Sequence, residues 1–293
     1  MAERPGPTLR RRKLAKELIA AREAAGLSVR QLAAEIGLQH GTVSKIENAK
    51  QAIRPINIRA IGRATGLSKS KIDSLVLLAA DDDTRDDWLL EFREGMPDWF
   101  SWFSAYTTLE RDAQEIWTYT SELVDGLLQT PAYATELARC GYPDISEGQL
   151  QRSVELRRAR QSLLDEDDAP RLHLIFNEAV VRRPVGGWEV MREQITHLIE
   201  MAKRPNITLQ VLPFEVGAHP GMKSPFTLLR FPEGFDDMDC VYLENVVGGV
   251  WQERSSDIAE HVRVFQHMSR LALSVEDTAQ LLYNLVSSES QNK

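Results

Sequence analysis

The sequence predicts an α+β protein with an all-α domain at its N-terminus, then a helical segment, and then an α/β domain with a mixed sheet. Three observations carry this prediction. Residues 9–80 read as a series of short helices. From residue 170 onward, β-branched runs typical of strands are mixed with helical stretches. The charge balance also changes sign between the first 80 residues and the rest.

The net charge of −8 combines two parts of opposite sign. Residues 1–80 hold 15 lysines and arginines against 6 acidic residues, a net charge of +9, whereas the remainder holds 20 against 37, a net charge of −17. An acidic chain taken as a whole argues against nucleic-acid binding, but such asymmetry between two parts of a chain indicates it. The boundary is the acidic run 81–87. We interpret this run as a solvated linker or helix start, because it lacks the glycine turn and final glutamate of a calcium-binding loop.

The N-terminal part contains a helix-turn-helix pattern. Ser28 and Gln31 have the spacing of a capping box, which predicts a helix start at residue 28. Gly37 stands where this helix must end in a left-handed residue. Ala33, Gly37, Val43 and Ile46 then follow the spacing of two helices that cross steeply through a tight turn.

This packing leaves the second helix with a polar outer face. A helix held in this way can lie in the major groove of DNA with its N-terminal residues at the base edges. The predicted base-contacting residues are Gln39, His40, Gly41, Thr42, Ser44 and Lys45. A glutamine can bind the edge of adenine, and a lysine can donate to guanine O6 and N7.

The stretch GLSVRQLAAEIGLQHGTVSKIENAK resembles the XRE (lambda-repressor-like) helix-turn-helix family, over residues 8–80. The resemblance implies that Gln39, His40, Gly41 and Lys45 read bases, with Thr42 and Ser44 close by. Two positions depart from the family pattern: Gln39 replaces the usual Ser or Thr cap of the recognition helix, and Ala49 replaces a glycine. Family members bind palindromic operators in double-stranded DNA as dimers, so a homodimer is expected.

Basic and hydroxyl side chains around this pattern are the predicted phosphate contacts. They are Arg10, Arg11, Arg12, Lys13, Ser28, Arg30, Lys50 and Arg54. Because cations bound to DNA are released when these residues bind phosphates, we expect DNA affinity to fall steeply with salt.

The remainder reads as helices over residues 88–165, around an aromatic cluster, followed by strands mixed with helices. The predicted strands are 171–177, 207–214, 226–231 and 240–246, and the predicted helical stretches are 188–203, 255–273 and 275–286. The aromatic cluster fits either a core or interdomain seam or a partner surface. It consists of Trp99, Phe100, Trp102, Phe103 and Tyr106.

Two further features leave alternatives open. Arg182 and Arg183, close to Glu178, could bind an anion or form a structural ion pair. His219, in a loop of glycine and proline, could line a pocket or play no functional part.

Other function classes lack their sequence signatures. No apolar run reaches the length of a membrane span, and no signal peptide is evident. Cys140 and Cys240 suggest reduced thiols in a cytoplasmic protein, which would be nucleoid-associated when bound to DNA.

Because the motifs of nucleotide-binding, zinc-dependent and serine-nucleophile enzymes are missing, we expect no enzyme, no catalytic residue, no metal and no cofactor. We interpret the one Ser-x-x-Lys pattern, at Ser68, as a helix cap.

Residues 96–290 resemble the DUF5753 (Scr1 antitoxin-like) domain of actinobacterial XRE regulators, joined to the DNA-binding domain by the acidic linker 81–95. Motifs that carry the resemblance include VDGLLQTPAYA, ELRRARQ, NEAVVRRPVGG, RPNITLQVLPF and GAHPG. The resemblance implies a transcriptional regulator whose second domain binds a small-molecule effector or a protein partner. The alternative is an antitoxin-like interaction protein that binds a small DUF397-type partner, with DNA binding serving autoregulation.

Overall fold

A computed structural model describes residues 9–80, 100–245 and 248–288, so the acidic run 81–87 and Trp99 lie outside the described residues. The chain divides into two compact units. Residues 9–80 belong to the first unit, and residues 110–245 and 248–288 belong to the second.

Within residues 9–80 of the first unit, five helices surround one apolar core. The helices are α1 (Leu9–Ala24), α2 (Val29–Glu35), α3 (His40–Glu47), α4 (Pro55–Ala64) and α5 (Lys69–Ala80). Local chemistry sets where they begin. Pro55 opens α4 at a position that needs no backbone N–H. Ser68 caps α5 by accepting a hydrogen bond from the backbone N–H of Lys71, as predicted.

The predicted packing of α2 against α3 is confirmed. Ser28 and Gln31 form the capping box in both directions, and Gly37 takes a left-handed conformation with φ +71°. Ala33, Val43 and Ile46 are all buried in the core of the unit. One side of α3 therefore packs into the core of the first unit, and the opposite side is available for contacts with a partner.

The end of α3 shows how the chain accommodates an alanine in place of glycine. Ala49 has φ +54°, the only positive φ among the described residues other than glycine. Its N–H bonds to Ile46, and the N–H of Lys50 bonds to Lys45, which is the Schellman arrangement. An L-residue in this conformation costs on the order of 1 kcal/mol, so the motif forms here with some strain.

The second unit contains a six-stranded mixed sheet, which confirms the predicted fold class. The strands are β1 (Glu115–Thr120), β2 (Arg171–Asn177), β3 (Ile207–Leu212), β4 (Phe226–Arg230), β5 (Cys240–Asn245) and β6 (Gly248–Gln252). Their order is β3-β2-β1-β4-β5-β6. β1, β2 and β3 run parallel, whereas β4, β5 and β6 pair antiparallel, beginning at the β1–β4 pair.

Seven α-helices are present in the described residues 100–288. They are α6 (Phe100–Asp112), α7 (Pro131–Gly141), α8 (Glu147–Gln161), α9 (Glu178–Arg182), α10 (Trp188–Met201), α11 (Ser255–Leu271) and α12 (Val275–Ser288). Helix α11 covers one face of the sheet through Phe265 and Met268, which are fully buried against the strands. Helix α12 covers part of the β3 edge, because Thr278 accepts a hydrogen bond from the backbone N–H of Val211 at 3.0 Å.

The sequence prediction of helices throughout residues 88–165 was wrong at β1, and it omitted β6. β1, with the sequence EIWTYT, lies at the centre of the sheet between β2 and β4. Its run of β-branched and aromatic residues is a strand signal, but it stands alone among helical segments. β6 begins with Gly248 and Gly249, and glycine weakens the strand signal of a sequence.

The aromatic cluster is described only in part, because the side chains of Trp99, Phe100 and Trp102 lie outside the described residues. Tyr106 is buried, which favours the core-or-seam alternative over an exposed partner surface at this position. The guanidinium of Arg160 lies over the ring of Phe103, 4.8 Å from its centroid. The same guanidinium forms a buried ion pair with Glu110.

Among the described residues, no helix is both long and apolar enough to cross a bilayer. Cys140 is exposed and Cys240 is buried, and neither forms a disulfide within the described residues.

Replacing Gly37 by alanine should destabilise the first unit by about 1 kcal/mol, because alanine is strained at this φ. A Cβ on Gly37 meets no atom within 4 Å, so backbone strain is the only expected cost. Hydrogen exchange of peptides from residues 9–80 in the full chain measures this change. Gly41→Ala is the matched control: its Cβ is equally unobstructed, but the position is helical, so protection should rise or stay level. Equal effects of the two substitutions would contradict the prediction.

Candidate nucleic-acid interface

The two sides of α3 differ in chemistry and in exposure. Val43 and Ile46 are buried, with 0% and 3% of their surface exposed. The predicted base-contacting residues lie on the remaining surface: Gln39, His40, Gly41 and Lys45 are exposed, and Thr42 and Ser44 are half-buried. The helix therefore presents a short polar surface that begins at its N-terminus.

The start of α3 is not capped by a side chain. Gln39 occupies the capping position in extended conformation, but its side chain makes no capping hydrogen bond. An exposed amide that is not used for capping can still donate to and accept from the edge of a base. The departure from the family pattern thus leaves Gln39 available for contact with DNA.

An ion pair that the sequence prediction missed ties α3 to α1. Arg22 Nε donates to Glu47 Oε1 at 2.6 Å, and Arg22 Nη2 donates to Glu47 Oε2 at 3.2 Å. Arg22 Nη1 also donates to the carbonyl oxygen of Leu27 at 2.9 Å, which fixes the chain before α2. Both charged side chains are largely buried, 12% and 9% exposed, and hydrogen bonding to Glu47 raises the pKa of Arg22. In the sequence, the only indication of this ion pair was Glu47, the glutamate of the Ser-Lys-Ile-Glu-Asn stretch.

The basic residues of the first unit fall into two groups. Some bind carboxylates: Arg59 contacts Asp73 at 2.9 Å, and Lys71 contacts Glu17 at 2.8 Å. In contrast, six exposed basic residues have no carboxylate partner in the described part of the chain. They are Arg30, Lys45, Lys50, Arg54, Arg63 and Lys69. Their charge remains available to an external anion.

The predicted phosphate contacts are not equally accessible. Arg30 lies in the first turn of α2, and Lys50 and Arg54 lie between α3 and α4. Ser28 is exposed, but its hydroxyl is engaged in the capping box. Lys13, in α1, is only 15% exposed and lies 3.7 Å from Glu17.

The remaining predicted phosphate contacts are also in α1. Arg11 and Arg12 are half-buried and have other interactions, and the side chain of Arg10 lies outside the described residues.

In the second unit, the arginines near Glu178 form ion pairs. Arg182 donates through Nε to Glu178, one turn earlier in α9, which is the structural pair offered as one alternative. Arg183 donates to Glu122 at 2.6 Å. Within the described residues, no group of three or more histidine, cysteine, aspartate and glutamate side chains is placed to hold a metal ion.

Comparison with protein families assigns both units. A helix-turn-helix family model matches residues 18–72, a range that includes α2, α3 and α4. A second model, the domain of unknown function DUF5753, matches residues 103–284, which is more than half of the chain. The chain belongs to the DUF5753 family. It is an XRE-type regulator, and its helix-turn-helix makes it a DNA-binding protein. No curated protein and no solved structure matches the chain.

Removing one partner of the Arg22–Glu47 pair should destabilise the first unit by about 2–4 kcal/mol, because it leaves the other charge largely buried. Arg22 would then keep only the longer ion pair with the exposed Glu23, at 3.5 Å. Glu47→Gln tests this in the full chain by hydrogen exchange of peptides from α1 and α3. The double variant Arg22→Met with Glu47→Leu should lose much less, since no buried charge remains. A double variant as unstable as the sum of the two single variants would show that the residues act independently.

Proposed function

We propose that this protein is a sequence-specific transcriptional regulator that binds a palindromic operator as a homodimer, with α3 in the major groove. The observation that carries the proposal is the two-sided character of α3, whose apolar side is buried while its polar side is exposed. A single helix with this arrangement can present its first residues to base edges.

Each side chain has a proposed role that follows from its chemistry. Gln39 and Lys45 would read bases directly, through an amide suited to adenine and an ammonium suited to guanine. His40 would donate or accept according to its tautomer. Gly41 offers only its backbone, and the half-buried hydroxyls of Thr42 and Ser44 would supplement the contacts.

Phosphate contacts would come first from Arg30, Lys50 and Arg54, which are the predicted phosphate contacts that are exposed and have no carboxylate partner in the described residues. Ser28 and the first turn of α1, which includes residues 10–13, would supplement them. These contacts would fix the position of the protein on the duplex without reading its sequence.

Dimerisation is part of the proposal because one recognition helix reads only a few base pairs. Two copies related by a two-fold axis would place their α3 helices in successive major grooves, about 34 Å apart along the duplex. The DUF5753 domain would regulate this binding through an effector or a protein partner, and we propose no catalytic activity for it. The protein would be cytoplasmic and would associate with the nucleoid when bound to DNA.

The antitoxin-like alternative is supported by large apolar side chains exposed on the second unit, among them Phe214 and Met222, which are 55% and 70% exposed. Exposed apolar surface favours protein partners. In this alternative a small DUF397-type protein would bind the second unit, and DNA binding would serve autoregulation. A variant that cannot bind DNA but still neutralises its partner with full biological effect would favour this alternative.

Replacing His40 and Lys45 by alanine should weaken operator binding on the order of a hundredfold, because each lost base contact costs about 1–3 kcal/mol. Titration of the operator at about 50 and 200 mM salt measures the affinity, its salt dependence and the number of chains bound per palindrome. The control is Lys69→Ala, which removes an equal charge from an exposed lysine at the start of α5.

The expected results are two chains per palindrome, a steep loss of affinity with salt, and a control that binds as the wild type does. Equal weakening by both variants would overturn the assignment of α3 as the reading helix. A binding curve insensitive to salt would overturn the proposed phosphate contacts.

A further inference from the structure

The carboxyl ends of the three parallel strands meet at one edge of the sheet. β1 ends at Thr120, β2 at Asn177 and β3 at Leu212. Asn177 pairs with Leu212, and Thr120 pairs with the residue just before Asn177. The neighbour of β1 on its other side is β4, which runs antiparallel. In open α/β sheets, ligands bind outside the carboxyl ends of strands, where the strand order changes direction. The topology therefore marks this edge as a place to search for a ligand site.

Hydrogen bonds draw together the segments that follow the three strands. Arg183, after β2, donates from Nη2 to Glu122 Oε2, after β1, at 2.6 Å. The backbone N–H of Phe214, after β3, donates to Glu178 Oε2 at 2.8 Å. Glu178 also accepts from Arg182, so one buried carboxylate connects two of the segments.

The loop before β4 contributes to the same edge. His219 lies in this loop, and its ring packs edge-on against Tyr119 near the end of β1, with 5.8 Å between ring centroids. Burial raises the pKa of Tyr119, and the side chain of Asn177 at the end of β2 partly offsets this rise. Gly221 has no room for a side chain, because a Cβ there would lie 2.7 Å from Tyr119 Cε1. The motifs NEAVVRRPVGG and GAHPG, which DNA binding does not explain, thus meet at this edge.

The guanidinium groups of two arginines at this edge have N–H donors that make no hydrogen bond in the described structure. The side chains of Arg182 and Arg183 are 48% and 54% exposed, and each donates one hydrogen bond to a carboxylate in the described structure. A guanidinium has five N–H donors in a planar fork, which suits the oxygens of a carboxylate or phosphate. Phe214, joined to the same carboxylate through its backbone, is 55% exposed and offers an apolar surface.

Two polar atoms at this edge are buried and lack a hydrogen-bond partner: Oγ1 of Thr120 and Nδ1 of His219. Burial lowers the pKa of His219, which favours the neutral form of its ring. An unsatisfied buried polar group costs about 1–3 kcal/mol. A ligand or a small shift of the loop that supplies a partner would relieve this cost.

We propose that this edge, the carboxyl-edge site, binds a small organic anion: Arg182 and Arg183 contact its carboxylate or phosphate, and Phe214 contacts its apolar part. The inference rests on the proposed regulatory role of the DUF5753 domain, and it names the class of effector. Because the site is open and both arginines already bind carboxylates, affinity for a simple probe should be modest, with a Kd of about 1 mM.

Phenyl phosphate is the probe. Inorganic phosphate carries its anionic group without the aromatic ring, and benzyl alcohol carries the ring without the anionic group. Binding to the full chain is measured by NMR titration of the probe signals, and operator binding of every variant is measured in parallel. The double variant Arg182→Gln with Arg183→Gln removes both charges but keeps hydrogen-bonding side chains. The matched control is Arg192→Gln, which neutralises an exposed arginine of α10 lining a groove of about 740 Å³ elsewhere in the unit.

Phenyl phosphate should bind the wild type more tightly than either inorganic phosphate or benzyl alcohol. The double variant should weaken this binding at least about tenfold, Phe214→Ser severalfold and Arg192→Gln not at all. No saturable binding up to about 10 mM, or equal weakening by Arg192→Gln, would overturn the site. Operator binding should be unchanged in the double variant, so a failed site would leave the DNA-binding proposal intact, and lost operator binding would count against both.

Discussion

Burial of one side of α3 is the constraint on which the first unit depends. Val43 and Ile46 fill the core between α1 and α2. Removing their apolar side chains from water stabilises the folded unit. Since successive residues of a helix point in different directions, burial of this side forces Gln39, His40 and Lys45 outward. The DNA-facing surface is therefore a consequence of core packing.

An ion pair then fixes the orientation of α3 that core packing permits. The ion pair between Arg22 and Glu47 joins α1 to the last turn of α3, where it is shielded from solvent and salt. Other cations of the unit are consumed by carboxylates, such as Lys71 by Glu17. Four of the six that remain without carboxylates lie in α2, in α3 and between α3 and α4, whereas Arg63 lies in α4 and Lys69 begins α5. Most of this unpaired positive charge therefore lies in the helix-turn-helix and the segment that follows it.

The sequence predicts features that depend on neighbours in the chain, and misses those that depend on distant ones. The capping box at Ser28 and the turn at Gly37 are local, and both are confirmed. β1 was missed because its burial results from pairing with β2 and β4, which lie more than 50 residues away. The Arg22–Glu47 pair joins residues 25 positions apart, and no spacing rule connects them.

The same limit applies to the candidate sites. The exposed face of α3 could be predicted, because a helix places its residues by a fixed period. The meeting of Arg183, Glu122 and His219 at one edge of the sheet could not, because it depends on strand order. Strand order is set by which strands pack into the same core, and local sequence patterns contain no information about it.

The most direct measurement of the central claim is in vitro selection of DNA sequences by the wild type, Lys45→Gln and Lys50→Ala. If the outer side of α3 reads bases, Lys45→Gln should change the selected base at one or two positions in each half-site. Lys50→Ala should lower affinity but select the same sequences, because a phosphate contact carries no sequence information. Selection of unchanged sequences by Lys45→Gln, with changed sequences from Lys50→Ala, would contradict the claim that α3 is the reading helix.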